Sequence, residues 1–235
     1  MARRKTSGPN QRFLFRSLPG SFAMINAQEA LERLREGNAR YLSDAPRNED
    51  VPGAKRRSAV VAAQRPFAII LGCSDSRVPA EIIFDQGLGD LFVIRVAGNI
   101  VAPSQVGSVE FAASRFGTRL VVVLGHTQCG AIQATIEELS QPTSEQSRNV
   151  YSIVDRIRPS VASLLETELR NDPQALVERA VRANIRASAN HLRHGSEVLE
   201  LLIQREGLRV VGAEYSLETG AVEFFDGLQD IGSAV

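Results

Sequence analysis

Short, continuously apolar runs alternate along the chain with longer segments in which apolar residues recur every three or four positions. The first pattern fits strands buried on both faces, the second amphipathic helices. The runs predict strands over residues 67–72 (opened by Pro66), 91–96, 120–124 and 208–215. A Leu217-Glu218-Thr219-Gly220 turn then folds a last strand, 221–225, back antiparallel. The helical pattern begins at 27–42, where Asn26 is placed to cap and Glu29 to close a capping box. It returns as a short helix over 59–63, and again after Pro79, which sits in the first turn. Over 103–115, Val106, Val109, Phe111 and Ala112 face inward and Gly117 ends the helix. Further helical stretches cover 129–139, a segment from near 145 to 169 interrupted at Pro159, and 173–193. The last is 197–205, capped by Ser196 after Gly195. Proline- and glycine-bearing polar stretches at 43–53 and 140–144 read as loops, and 227–235 gives no pattern.

Strands alternating with helices imply an α/β fold. The expected architecture is a mostly parallel β-sheet of four strands plus one antiparallel C-terminal edge strand, flanked by helices, with an N-terminal helical arm. Residues 1–23 read as a separate basic arm and 24–235 as a single domain. The arm carries Arg3, Arg4, Lys5, Arg12 and Arg16, and also Phe13, Leu14, Phe15 and Leu18, which a freely solvated tail rarely spends. No internal repeat or low-complexity segment is visible.

At 235 residues the chain can bury a core without a metal as a folding staple. Lys+Arg and Asp+Glu are equal at 27, so no global field favours nucleic acid or an anionic membrane. No apolar run approaches the roughly 20 residues of a membrane span. The basic start has no apolar stretch after it, so neither a signal peptide nor a twin-arginine export signal is read there. The expected location is cytoplasmic, with reduced thiols.

In a parallel sheet, ligands bind beyond the carboxyl ends of the strands. The chemistry-bearing residues collect there. Gly72-Cys73-Ser74-Asp75-Ser76-Arg77 follows the first strand, and Gly125-His126-Thr127-Gln128-Cys129-Gly130 follows the third. These stretches hold the chain's 2 cysteines and one of its 3 histidines. Two thiolates and an imidazole are a zinc donor set, with Asp75 as a possible fourth ligand. Cys129 opens a helix, where the N-terminal dipole favours a thiolate. Two thiolates cancel the charge of Zn²⁺ and make a bound water less acidic, so a hydrogen-bond acceptor that orients it becomes important. Asp75 is placed for that, and Arg77 for holding Asp75 ionised and off the metal. Buried core thiols, a closed structural zinc and a redox cysteine pair remain alternatives at this point. His191 and His194 share a helix face but lack a third ligand nearby, so they read as solvated. The glycine-containing loops have no phosphate-cradling signature.

Cys73-Ser-Asp-Ser-Arg77 and His126-Thr-Gln-Cys129-Gly130 resemble the β-class carbonic anhydrases. The likeness extends through Val78-Pro79-Ala80-Glu81, through Gly89–Arg95 with Ala97-Gly98-Asn99, and through Val109-Glu110-Phe111-Ala112. It covers roughly residues 27–226. It implies one Zn²⁺ per chain on Cys73, His126 and Cys129, with Asp75 and Arg77 as the catalytic dyad. It also implies that Gln64 hydrogen-bonds substrate, and that Phe92, Ala97, Phe111 and Gly130 contribute to the substrate pocket, partly from a neighbouring subunit. The implied reaction is reversible hydration of CO₂ to bicarbonate and a proton by a zinc-bound hydroxide. The implied assembly is a homodimer or homotetramer with the active site near the interface, binding neither nucleic acid nor membrane. Some members bind regulatory bicarbonate through a Trp, an Arg and a Tyr. Arg95 and Tyr215 match, but Ile70 stands in the Trp position and the chain has 0 Trp. An open site follows, with Asp75 on Arg77; Asp75 would join the metal only in a closed site. Carbonyl sulfide or carbon disulfide hydrolysis at the same zinc, and a non-catalytic zinc or bicarbonate-binding protein, are the competing readings.

Overall fold

The computed structural model describes residues 25–45, 54–141 and 147–229. The basic arm over 1–23 and the predicted helix start near 145 lie outside them. α1 (Ala27–Leu42) begins with the predicted capping box: Asn26 accepts from the Glu29 N–H, and the Glu29 carboxylate accepts from the Asn26 N–H. α2 (Ala54–Val60) precedes β1 (Ala68–Gly72), all of whose residues are buried. α3 (Ala80–Ile83), β2 (Leu91–Arg95) and a turn at Ala97–Asn99 follow, then α4 (Pro103–Arg115) and β3 (Leu120–His126). α5 (Gly130–Ser140), α6 (Arg148–Leu165), α7 (Pro173–His194) and α8 (Glu197–Glu206) lead to β4 (Arg209–Tyr215) and β5 (Val222–Asp226).

The sheet order is β2-β1-β3-β4-β5; the first four strands are parallel and β5 pairs antiparallel with β4. β1 and β3 are therefore neighbours, in register from Ile69↔Val121 to Gly72↔Leu124. The connection from β1 leads to one side of the sheet and that from β3 to the other, so the strand order reverses between them. The crevice at their carboxyl ends is a topological switch point. One face packs Ile69, Leu71, Val121 and Val123 under α4–α8; the other packs Ile70, Val122, Leu124 and Val211 under α1 and α3. Each fully buried Val, Leu or Ile contributes about 1.5–3 kcal/mol.

Several expected boundaries shift. The short helix after the first loop is Ala54–Val60, not 59–63. Phe67 is buried but precedes β1, and Val96 follows β2 and turns the chain into the Ala97–Asn99 bend. Pro79 caps α3 from outside instead of entering its first turn. Pro159 does not interrupt α6, although it lacks the N–H that an interior turn uses. The stripe Val154, Ile157, Ser160 and Val161 is buried on both sides of it, and that packing outweighs one lost hydrogen bond. Leu169 falls in a separate 3₁₀ turn, Glu168–Asn171. Phe111 does not face inward with Val109 and Ala112: it is 37% exposed. Its position on α4 turns it toward Phe92 on the sheet's edge strand instead.

α1 is stitched to the rest of the fold by one buried amide. Asn38 Nδ2 donates to the carbonyls of Ile83 (3.2 Å) and Gly220 (3.0 Å), and its Oδ1 accepts from the Val222 N–H (2.9 Å). Beside it, a Cβ on Gly37 would lie 1.9 Å from the Phe84 carbonyl oxygen, so only glycine permits this approach. Asn38→Leu keeps the branched outline of the side chain but leaves two carbonyls and one N–H unpaired. It should lower the unfolding free energy by about 3 kcal/mol, read as a lower urea midpoint at constant slope. A loss under about 1 kcal/mol would mean those groups find other partners.

Candidate active site and metal centre

Cys73 leaves the carboxyl end of β1, and His126 is the last residue of β3 instead of lying beyond it. The register with β4 runs on to His126↔Tyr215, which holds the imidazole on a paired strand. Cys129 is the N-cap of α5, so the helix starts one residue later than expected. All three side chains are buried, and their ligand atoms lie within 4.8 Å of one another. Among the described residues no other group of three such donors converges. His191 and His194 are exposed on α7, in keeping with the solvated reading.

The donor set fits a zinc ion on its own geometry. His126 Nδ1 lies 2.9 Å from the Thr127 carbonyl, which can only accept; the proton therefore sits on Nδ1 and Nε2 carries a lone pair. That Nε2 is buried and has no hydrogen-bond partner. An unpartnered buried acceptor beside two sulfurs is costly unless a cation joins them. The sulfurs stand 4.0 Å apart, against about 3.8 Å for two thiolates at tetrahedral zinc distances. The Cys73 thiol is drawn down to about 4, first by a hydrogen bond from Cys129, then by contacts with His126 and the N–H groups of Asp75 and Gly98. The Cys129 thiol is pushed up by the same sulfur contact and by burial. A bound dication reverses that balance and favours two thiolates.

Asp75 does not point into this donor set. Its carboxylate takes a bidentate pair from Arg77 (Nε to Oδ1 2.9 Å, a terminal nitrogen to Oδ2 2.7 Å) and the Arg77 backbone N–H at 3.0 Å. The Arg77 hydrogen bonds hold its carboxyl well below the usual carboxylate range. Asp75 Oδ2 is still only 3.8 Å from His126 Nε2, so the carboxylate borders the centre while belonging to Arg77. Arg95, at the end of β2, donates to the carbonyls of Cys73 (3.1 Å) and Asp75 (2.6 Å) and so ties this loop to the neighbouring strand. Ile70 is buried in the sheet core, and the Tyr215 hydroxyl meets that of Tyr41 at 3.2 Å. Burial, then that hydroxyl contact, pushes the Tyr215 phenol up to about 12.

The other expected residues are scattered. Ala97 is half-buried in the turn beside Cys73, and Gly130 is exposed in the first turn of α5. Phe92 and Phe111 form an aromatic group with Phe116 against the edge strand, with ring centroids 5.6–6.3 Å apart. Gln64 is exposed ahead of β1, at the opposite end of the sheet. The strand alone puts it roughly 16 Å from Cys73, beyond the reach of its side chain. Two contributors were not anticipated from the sequence. Thr127 presents the carbonyl to His126, and its hydroxyl accepts from the Leu217 N–H at 3.0 Å. Asn184 stands at a buried position of α7, and a polar residue in the apolar stripe Val181, Ile185, Ala189 was the available signal.

Residues 68–222 match the family model for carbonic anhydrase. The carbonic anhydrase of Mycolicibacterium smegmatis is 36% identical over 215 residues, covering 88% of this chain and 97% of that protein. Carbonic anhydrase 2 of Mycobacterium tuberculosis is 36% identical over 210 residues, covering 89% and 98%. Among solved structures, the β-carbonic anhydrase CcaA superposes with a TM-score of 0.68 at 27% identity, covering 86% of this chain and 87% of that one. The matched stretch contains the whole of the Cys73–Cys129 centre, and the relatives match over nearly their full lengths: the chain belongs to the β-class carbonic anhydrase family.

Proposed function

We propose that this enzyme catalyses the reversible hydration of CO₂ to bicarbonate and a proton, with one Zn²⁺ held by Cys73, His126 and Cys129. The observation that carries the reading is the conjunction of three converging buried donors with a carboxylate drawn aside by Arg77. A structural zinc has four protein ligands; a catalytic one keeps a position open. Zinc bound there supplies a water acidified from about 15.7 toward 7. Asp75, held by Arg77 at the border of the centre, would accept a hydrogen bond from that water and fix its orientation. Arg77 keeps the carboxylate from becoming a ligand. The Thr127 carbonyl keeps the proton on His126 Nδ1 and so leaves Nε2 as the donor atom.

The substrate pocket we propose is shared between subunits. Gln64 lies at the other end of the sheet from the chain's own metal centre, Phe111 is partly exposed, and among the described residues β2 has a strand neighbour, β1, on one side alone. A second copy against that edge would bring Gln64 to the partner's site as an amide donor for the oxygen where charge develops. Phe92, Phe111, Ala97 and Gly130 would then bound the space for an uncharged, apolar CO₂. No described helix is long and apolar enough to cross a membrane, and a cytoplasmic setting suits two free cysteines.

The deciding test is stopped-flow CO₂ hydration on protein of measured zinc content, with sulfide release from carbonyl sulfide and carbon disulfide assayed in parallel. One zinc per chain with fast CO₂ turnover at neutral pH is expected. Zinc with sulfide release alone, or with no turnover, would overturn the reading. Asp75→Asn should retain zinc and lose about 100-fold or more in kcat, whereas Cys73→Ser should lose the metal. Full activity in Asp75→Asn would remove Asp75 from the mechanism.

The Asp75–Arg77 pair also sets a pH dependence. The folded pKa of Asp75 lies below its unfolded value, so the pair stabilises the fold above about pH 4, and this contribution is lost as pH falls through the folded value. In Arg77→Ala the carboxyl should titrate at or above about 3.9, followed by the Asp75 carboxyl-carbon resonance. A wild-type titration already at that value would show that Arg77 does not hold the ion pair in solution.

A further inference from the structure

Cys73 receives a hydrogen bond from across the fold. The Gly98 N–H donates to its sulfur at 3.3 Å, both groups being buried. The other backbone N–H groups near the two sulfurs are local: that of Asp75 at Cys73, and those of Ala131 and Ile132 at Cys129. Those lie two or three residues on, and their direction is set by the strand-end loop and by the first turn of α5. Gly98 belongs to a different strand connection, and something must hold it in place.

That anchor is Asn184. It is 2% exposed, and its Nδ2 donates to the Gly98 carbonyl at 2.8 Å. The Gly98 peptide is otherwise free to rotate only within tight limits. Its φ is +69°, and a Cβ would meet Ile157 Cδ1 at 2.7 Å and Ala131 Cβ at 3.1 Å. The turn is thus wedged between α5 and α6 and closed by the Asn99 N–H on the Val96 carbonyl at 3.0 Å; the side-chain contact that holds the Gly98 carbonyl itself comes from α7.

We infer that Asn184 is a positioning residue for the metal centre: by holding the Gly98 carbonyl it fixes that residue's backbone angles, and with them the direction of the preceding peptide's N–H toward the Cys73 sulfur, withdrawing charge from one of two thiolate ligands. The inference rests on the zinc reading above. Two thiolates cancel the dication's formal charge and make a bound water less acidic than neutral ligands would. An N–H···S hydrogen bond weakens the donor and restores part of the metal's Lewis acidity, as hydrogen bonds to ligand sulfurs do in other metal centres. A buried asparagine inside a helix, where its propensity is poor, is then explained by a partner that no apolar residue could replace.

The test uses the full chain loaded with ¹¹³Cd. A scalar coupling between the Gly98 amide proton and the metal, transmitted through the N–H···S contact, is expected in the wild type. Asn184→Leu and the smaller Asn184→Ala should weaken or abolish it. In zinc-loaded protein the same variants return charge to the Cys73 sulfur and weaken the metal as a Lewis acid, so the rise of CO₂ hydration with pH should move to higher pH. A wild-type protein that binds cadmium without the coupling would overturn this inference alone. So would a folded Asn184 variant, in either form, with unchanged coupling and an unchanged pH profile. A wild type that takes up neither cadmium nor zinc would overturn the metal reading itself, and this inference with it.

Discussion

The structure depends on β1 and β3 lying side by side in parallel register. Cys73 and Asp75 follow one strand; His126 and Cys129 end and follow the other. No local conformation brings these two stretches together. Backbone hydrogen bonding does, with Gly72 paired to Leu124 at the last rung. Because the strand order reverses at this pair, the helices that follow lead away on either side. The carboxyl ends are left as a crevice that side chains can fill with chemistry. The complete burial of both strands makes the arrangement rigid, since a slip in register would transfer each strand's apolar side chains between the two faces of the sheet.

Around that crevice, the groups nearest the metal donors are each held by a second group. Thr127 fixes the His126 tautomer, Arg77 holds the Asp75 carboxylate, Arg95 ties down the carbonyls of the loop, and Asn184 sets the turn that faces Cys73. These contacts come from four different segments. Each limits a single freedom, whether of a proton, a carboxylate, a loop or a peptide plane. The centre is therefore made specific less by its three donors than by what keeps them and their neighbours from relaxing toward one another.

Much of this was legible from residues alone. Strands showed as unbroken apolar runs, and α1, α4, α7 and α8 by period, caps and the glycines that end them. The donors stood out because cysteine and histidine were scarce and placed at strand ends. The errors have physical causes. Pro159 reads as a helix breaker, but the buried stripe around it holds α6 continuous. Phe111 falls on the inward period of α4, yet the edge strand offers an aromatic surface that draws it outward.

The sequence by itself determined the elements and the identity of the donor atoms, because helical and strand periods and caps are local, written within a few residues of where they act. Tertiary structure decided which strand lies beside β1, that the His126 imidazole lies against Cys73 and Cys129, and that Gln64 ends up at the opposite end of the sheet. It also decided that Asn184, distant in the chain, reaches the carbonyl of Gly98, the residue whose N–H faces Cys73. Those outcomes follow from strand order and from which side chains are packed against which. Both are set by the simultaneous burial of two sheet faces, and no window along the chain contains them.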